Sequence, residues 1–319
     1  MRGNAIKTMC LLGLLLCAAC LLGVIKGAVD IPLGRLFSPE NHPIVLLRLL
    51  RVAMAVTAGI GLAVSGIVLQ SVLHNPLAEP YLLGTSNGAG LGAVVALSLG
   101  VSSIYIPAAA FIGALLSIVA VYYIAKEHAA IPEQSLILAG VMVSVAISAV
   151  IVCIITVSGK ELLHGIAWWL WGNLQVFDAS LLALVSVLVA AGVAVVFLFS
   201  RELNAISIGD EDALHLGIEV EKLKKLLLLV TALITASLVC VSGIIGFVGL
   251  LIPHMMRRLV GPDHKVLIPA ASCGAAFFMV ACDLVSRCIM PPLEIPIGVI
   301  TALLGAPVFL VLLKKRYGR

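Results

Sequence analysis

Apolar runs of roughly 20 residues recur from one end of this chain to the other, broken only by short charged or turn-rich connections. As a helix rising about 1.5 Å per residue, a run of that length crosses the hydrocarbon core of a bilayer. Of the 319 residues, 62% are hydrophobic and 11% charged, with a mean hydropathy of +1.20. A soluble domain carries about 25% charged and 45–50% apolar residues. The solvent of this chain is therefore lipid, and its length counts spans. Lipid cannot satisfy a free backbone amide, and the ~10-residue alternation of barrel strands is absent, so the spans are helices.

Ten segments qualify: 8–25, 52–72, 81–99, 105–125, 136–156, 179–199, 226–243, 244–259, 267–286 and 295–313. The expected fold class is an all-α polytopic membrane protein with about ten transmembrane helices in one domain, 1–319. Gly243, Gly246, Gly249 and Pro253 interrupt the seventh and eighth segments. That stretch reads as a broken or partly re-entrant helix, tolerable where it lines a cavity or packs on protein. Cys17 to Cys20 has the look of a lipoprotein cleavage site, but the apolar run continues through Leu21 and Leu22, which favours a first membrane helix.

Lys and Arg set the orientation. With the N-terminus in the cytoplasm, 14 of the 20 basic residues fall in inside connections, and an even number of spans puts both termini inside. The net charge of +4 forms no continuous stripe, which excludes a nucleic-acid partner. Three of the outside charges stand out. Arg48 and Arg51 share one face of a helix leading into the second span, and Arg287 follows Asp283 by one helical turn at the end of the ninth. Interfacial snorkelling would explain them. A cluster of exposed guanidiniums at an external mouth would also dock a carboxylate-bearing partner.

Asn75, Pro76, Leu77, Ala78, Glu79 and Pro80 end one helix and set the start of the next, followed by the small-residue run Leu83 to Gly92. Without a preceding strand this is no dinucleotide fingerprint; small residues at this spacing let membrane helices approach closely. The connection 201–225 carries apolar residues at helical intervals, with Asp210, Glu211 and Asp212 in a first turn that favours carboxylates. An acidic amphipathic helix suits a groove on a partner better than an anionic lipid surface.

These residues together resemble the FecCD-type permeases, the membrane subunits of type II ABC importers for iron siderophores, haem and cobalamin. The likeness runs in order from about 48 to 313: Arg48 and Arg51; Gly61, Ser65, Gly66 and Gln70; the NPLAEP and LLGTSNGAG runs; Leu138 to Gly140; Trp169 and Gly172; the loop from Leu203 to Gly217; Gly243 to Arg257; and Asp283 to Phe309. The resemblance implies the type II importer permease fold, a second copy of the chain, two cytoplasmic ATPase subunits and a periplasmic or lipid-anchored binding protein, in the cell inner membrane. It implies that Arg48, Arg51 and Arg287 meet glutamates of the binding protein. It assigns Asn75 and Leu77 to a cytoplasmic gate whose second position falls at Glu133 and Gln134, where this sequence departs from small hydroxyl residues. Gly209, Asp210, Ala213, Leu216 and Gly217 match the helices that dock on the ATPase, and Ser65 and Gln70 belong to the translocation path.

No catalytic site, cofactor or metal is expected. There is no HExxH, Lys160 lacks a Walker A context, and the eight cysteines show no CxxC pairing. Channel formation is the role read here, with ATP hydrolysis in a separate subunit. The rival is an ion-coupled secondary transporter, which would carry intramembrane ionisable residues; Asp283 is the one carboxylate well inside a predicted span.

Overall fold

The computed structural model describes residues 2–29, 31–36, 38–127 and 132–317. The described residues form helices α1 (Arg2–Ile25), α2 (His42–Val72), α3 (Thr85–Ser98), α4 (Ile106–Ala125), α5 (Glu133–Val157), α6 (Lys160–Leu170), α7 (Ala179–Leu198), α8 (Ser200–Ile206), α9 (Asp210–His215), α10 (Val220–Ser242), α11 (Val248–Val260), α12 (His264–Cys288) and α13 (Ile297–Tyr317). Each of the ten apolar segments falls on one of these helices.

Seven of them, α1, α2, α4, α5, α7, α10 and α12, are long and apolar enough to cross a bilayer unaided. The 14 residues of α3 run only about 21 Å and the 13 of α11 about 20 Å. Count and length therefore part company: of the ten apolar helices two, α3 and α11, are short. The sequence reading missed α6 because its polar and apolar residues alternate around an amphipathic helix too short to register as a span. It placed a short helix over 208–217, where α9 stands, but gave no element to α8, from which the chain turns at Ser207 to Gly209.

Helix α2 is the axis of the fold. Its middle is buried against α12, α10 and α11, while α1, α4, α5 and α7 turn most of their apolar surface outward. Lipid is as apolar as leucine, so this packing rests on close contact between small residues. A Cβ on Gly66 of α2 would overlap the carbonyl of Gly249 in α11, and one on Gly88 of α3 would come within 2.5 Å of the Gly113 carbonyl in α4. The small-residue run after NPLAEP therefore acts in helix packing.

The interruption before α11 is a true break. Gly243 at φ +65° ends α10, and Phe247 at φ +70° starts α11 from the left-handed region. The freed backbone groups find partners on the NPLAEP segment and on Tyr81, which follows it. The Tyr81 hydroxyl donates to the Ile245 carbonyl and accepts from the Ile245 amide, both at 3.1 Å, and the Phe247 amide donates to Glu79 Oε1 at 3.1 Å.

Candidate functional site

The predicted site residues collect at the two ends of α2. At its start, Arg48, Arg51 and Arg287 line one small cavity of about 210 Å³, together with Gln175 and Glu294. The structure corrects the expectation that they are exposed: all three are buried. A guanidinium is costly to desolvate unless its donors are filled, and here acceptors from three other segments fill them. Arg51 Nε donates to Asp283 Oδ1 at 2.6 Å and its Nη1 to Glu294 Oε2 at 2.7 Å. Arg287 Nη2 lies 2.7 Å from Asp283 Oδ2, the pairing its i,i+4 spacing predicts, and also donates to the Gly23 carbonyl at 3.2 Å. Arg48 Nη1 donates to the carbonyl of Ile25 at 2.6 Å, and its Nη2 to that of Val29. These carbonyls lie at and just beyond the C-terminus of α1, where a cation is favoured. Asp283, the candidate coupling residue of an ion-driven carrier, is thus held between two guanidiniums.

Ser65 and Gln70 do not line an open path. Both are buried inside the chain. Gln70 Nε2 donates to the carbonyl of Gly249 at 3.2 Å, and its Oε1 accepts from Arg257, so it ties α2 to α11.

Beyond the far end of α2, Asn75 Oδ1 accepts from the Leu77 amide at 2.9 Å, fixing the turn, and leaves the Leu77 side chain exposed. Gln134 is exposed as well. Glu133 is not: its Oε1 meets His74 Nδ1 at 2.7 Å and Lys224 Nζ at 2.9 Å. Lys224, itself buried, also donates to Asp210 Oδ2 at 2.5 Å. The turn after α2 and the first turns of α5, α9 and α10 therefore meet in one ion-paired cluster. Nearby, Burial pushes the Glu79 carboxyl above its ordinary value, against the Phe247 amide that holds it down. On the adjoining connection, the Asn204 amide holds Asp263 below its usual range.

Helix α9 carries Asp210, Glu211 and Asp212 in its first turn, as the sequence predicted. Gly217 at φ +81° terminates it: its amide donates to the Leu214 carbonyl and that of Ile218 to the Ala213 carbonyl, the two bonds of a Schellman cap. Gly209 precedes the helix in an extended conformation. Ile208, Leu214 and Leu216 are exposed, whereas Ala213 is fully buried against its own chain. The small side chain of Ala213 thus admits the rest of this subunit, a correction to its predicted role at a partner surface. Sequence reasoning did not single out His74, Tyr81 or Lys224; nothing in the local pattern marks Lys224, which stands between Leu223 and Lys225 in a basic stretch at the head of a membrane helix.

A profile of the FecCD transport family matches residues 14–315, nearly the whole chain. The chain belongs to the FecCD transport family. Among FecCD relatives, the cobalamin import system permease protein of Halobacterium salinarum is 41% identical over 87% of this chain and 75% of its own. The hemin transport system permease protein of Yersinia pestis is 35% identical over 85% of this chain and 82% of its own. A solved inward-facing transporter described as metal-chelate ABC type superposes with a TM-score of 0.88 at 30% identity, covering 97% of this chain and 99% of that one.

Proposed function

We propose that this chain is the permease subunit of an ATP-driven importer in the cell inner membrane, moving cobalamin, haem or an iron chelate inward. A single permease domain of this kind works with a second copy of itself, two cytoplasmic ATPase subunits and an external binding protein, both termini being cytoplasmic. The observation that carries the reading is α9, a short capped helix with Leu214 and Leu216 exposed, in a chain whose family relatives are named import permeases. An ion-coupled carrier has no use for such a helix, whereas an ATPase groove takes it. The exposed Leu77 beside the Asn75-fixed turn suits a cytoplasmic gate, and Glu133 and Gln134 lie on the segment facing it.

At the opposite end, the cavity lined by Arg48, Arg51 and Arg287 is the docking site in this reading. Because Glu294 already holds Arg51, a binding-protein carboxylate would compete with it for that guanidinium. Reconstitution tests the whole proposal. The purified chain with its ATPase and binding protein should take up one of these chelates only with ATP. Uptake by the chain alone under an ion gradient would overturn it.

A further inference from the structure

The cluster at the foot of α2 holds four charged side chains from four segments: His74 after α2, Glu133 opening α5, Asp210 opening α9 and Lys224 near the start of α10. One ligand-capable atom each from His74, Glu133 and Asp210 lie within 4.8 Å of one another. The space between the two carboxylates is already taken by the Lys224 ammonium, so this is an ion-pair cluster with its own internal cation.

His74 is its distinctive member. Its Nε2 lies 2.6 Å from the backbone carbonyl of Ile206 at the end of α8, and its Nδ1 lies 2.7 Å from Glu133 Oε1. A carbonyl and an ionised carboxylate only accept hydrogen bonds, so both contacts exist together only when both ring nitrogens carry a proton. With that second proton the cluster contains two cations and two carboxylates and is neutral. The charged groups at the ring are Glu133 on α5 and Asp210 on α9, with Lys224 of α10 bonded to both carboxylates; from α8 the ring meets the Ile206 carbonyl. The residue holds this place at φ +42°, a left-handed backbone that residues other than glycine adopt uncommonly.

We infer that His74 is a positioning residue that clamps the gate turn to the ATPase-facing segment, through Ile206 of α8 on one side and Glu133, Lys224 and Asp210 on the other. The inference rests on the reading of Asn75 and Leu77 as gate and α9 as ATPase contact. Asp210 stands in the first turn of α9, so a displacement of α9 pulls on Lys224 and Glu133 and, through His74, on the residue preceding Asn75. A side chain that can donate to only one of the two acceptors loses one arm of the clamp.

The test uses the reconstituted complex and reads substrate imported per ATP hydrolysed at one fixed pH. His74→Leu, which can donate to neither acceptor, should lower that ratio by roughly two- to tenfold, the range over which a coupling network modulates a distant site. His74→Arg keeps a cation with several donors and should restore the wild-type ratio. If His74→Leu fails to assemble, His74→Gln takes its place, and a wild-type ratio there overturns the inference. ATP-driven uptake with an unchanged ratio in His74→Leu rejects the clamp while leaving the importer reading intact. Absence of ATP-driven uptake in the wild type rejects that reading and the clamp with it.

Discussion

Arg51 on α2 donates through Nε to Oδ1 of the fully buried Asp283 on α12 at 2.6 Å, joining residues 232 apart in sequence. Arg287 occupies the other carboxylate oxygen, so one acid holds two guanidiniums where α1, α2 and α12 converge. Removing one member of a buried pair strands the other charge, at a cost of about 3–5 kcal/mol. Asp283→Ala should therefore lower the thermal unfolding temperature of the purified protein sharply, and an Arg51→Met, Asp283→Leu, Arg287→Met triple variant, which leaves neither guanidinium without its carboxylate, should recover much of the loss. Equal stability of Asp283→Ala and wild type would contradict the pairing. For the same reason, loss of binding-protein affinity in an Arg51 variant counts as a docking effect only if stability is retained.

The two faces of α9 predict opposite consequences. Leu216→Asp changes an exposed side chain and should leave folding in detergent unaltered while ATPase association, followed by co-purification, is lost. Ala213→Phe forces a ring into a closed internal contact and should destabilise the subunit itself by about 1–3 kcal/mol. Should Ala213→Phe fold as well as wild type and fail only in ATPase binding, the internal placement of Ala213 would be refuted.

Tyr81 bridges the broken helix by serving both polar groups of Ile245. Tyr81→Phe leaves that amide and carbonyl without their partner, a loss of about 1–3 kcal/mol for a buried group. Hydrogen exchange is the direct measurement: the Ile245 amide should exchange faster in the variant, while amides in the middle of α2 keep their protection.

Leu77 is exposed beside a turn that Asn75 holds rigid. In the proposed dimer it seals the gate against its symmetry mate, so Leu77→Ala should raise substrate leak from loaded liposomes without impairing assembly. Leu77→Cys in both subunits should crosslink in at least one nucleotide state, and failure in every state would reject the gate.

The sequence by itself determined the solvent, the helical class, the positions of ten apolar helices, the break near Gly243 and the acidic start and glycine end of α9. Those properties are local: length of an apolar run, a capping residue, or a backbone that only glycine adopts easily is written in neighbouring residues. It also pointed to Asp283 and Arg287 as partners, because one helical turn fixes that distance. Only the tertiary structure decided that Arg48, Arg51, Ser65 and Gln70 are buried, that Ala213 faces its own chain, and that His74, Glu133, Asp210 and Lys224 meet. Burial and ion pairing depend on which distant helices come into contact. In lipid, where every helix face is apolar, periodicity no longer marks the inside, so close contacts such as Gly66 with Gly249 had to be seen in three dimensions.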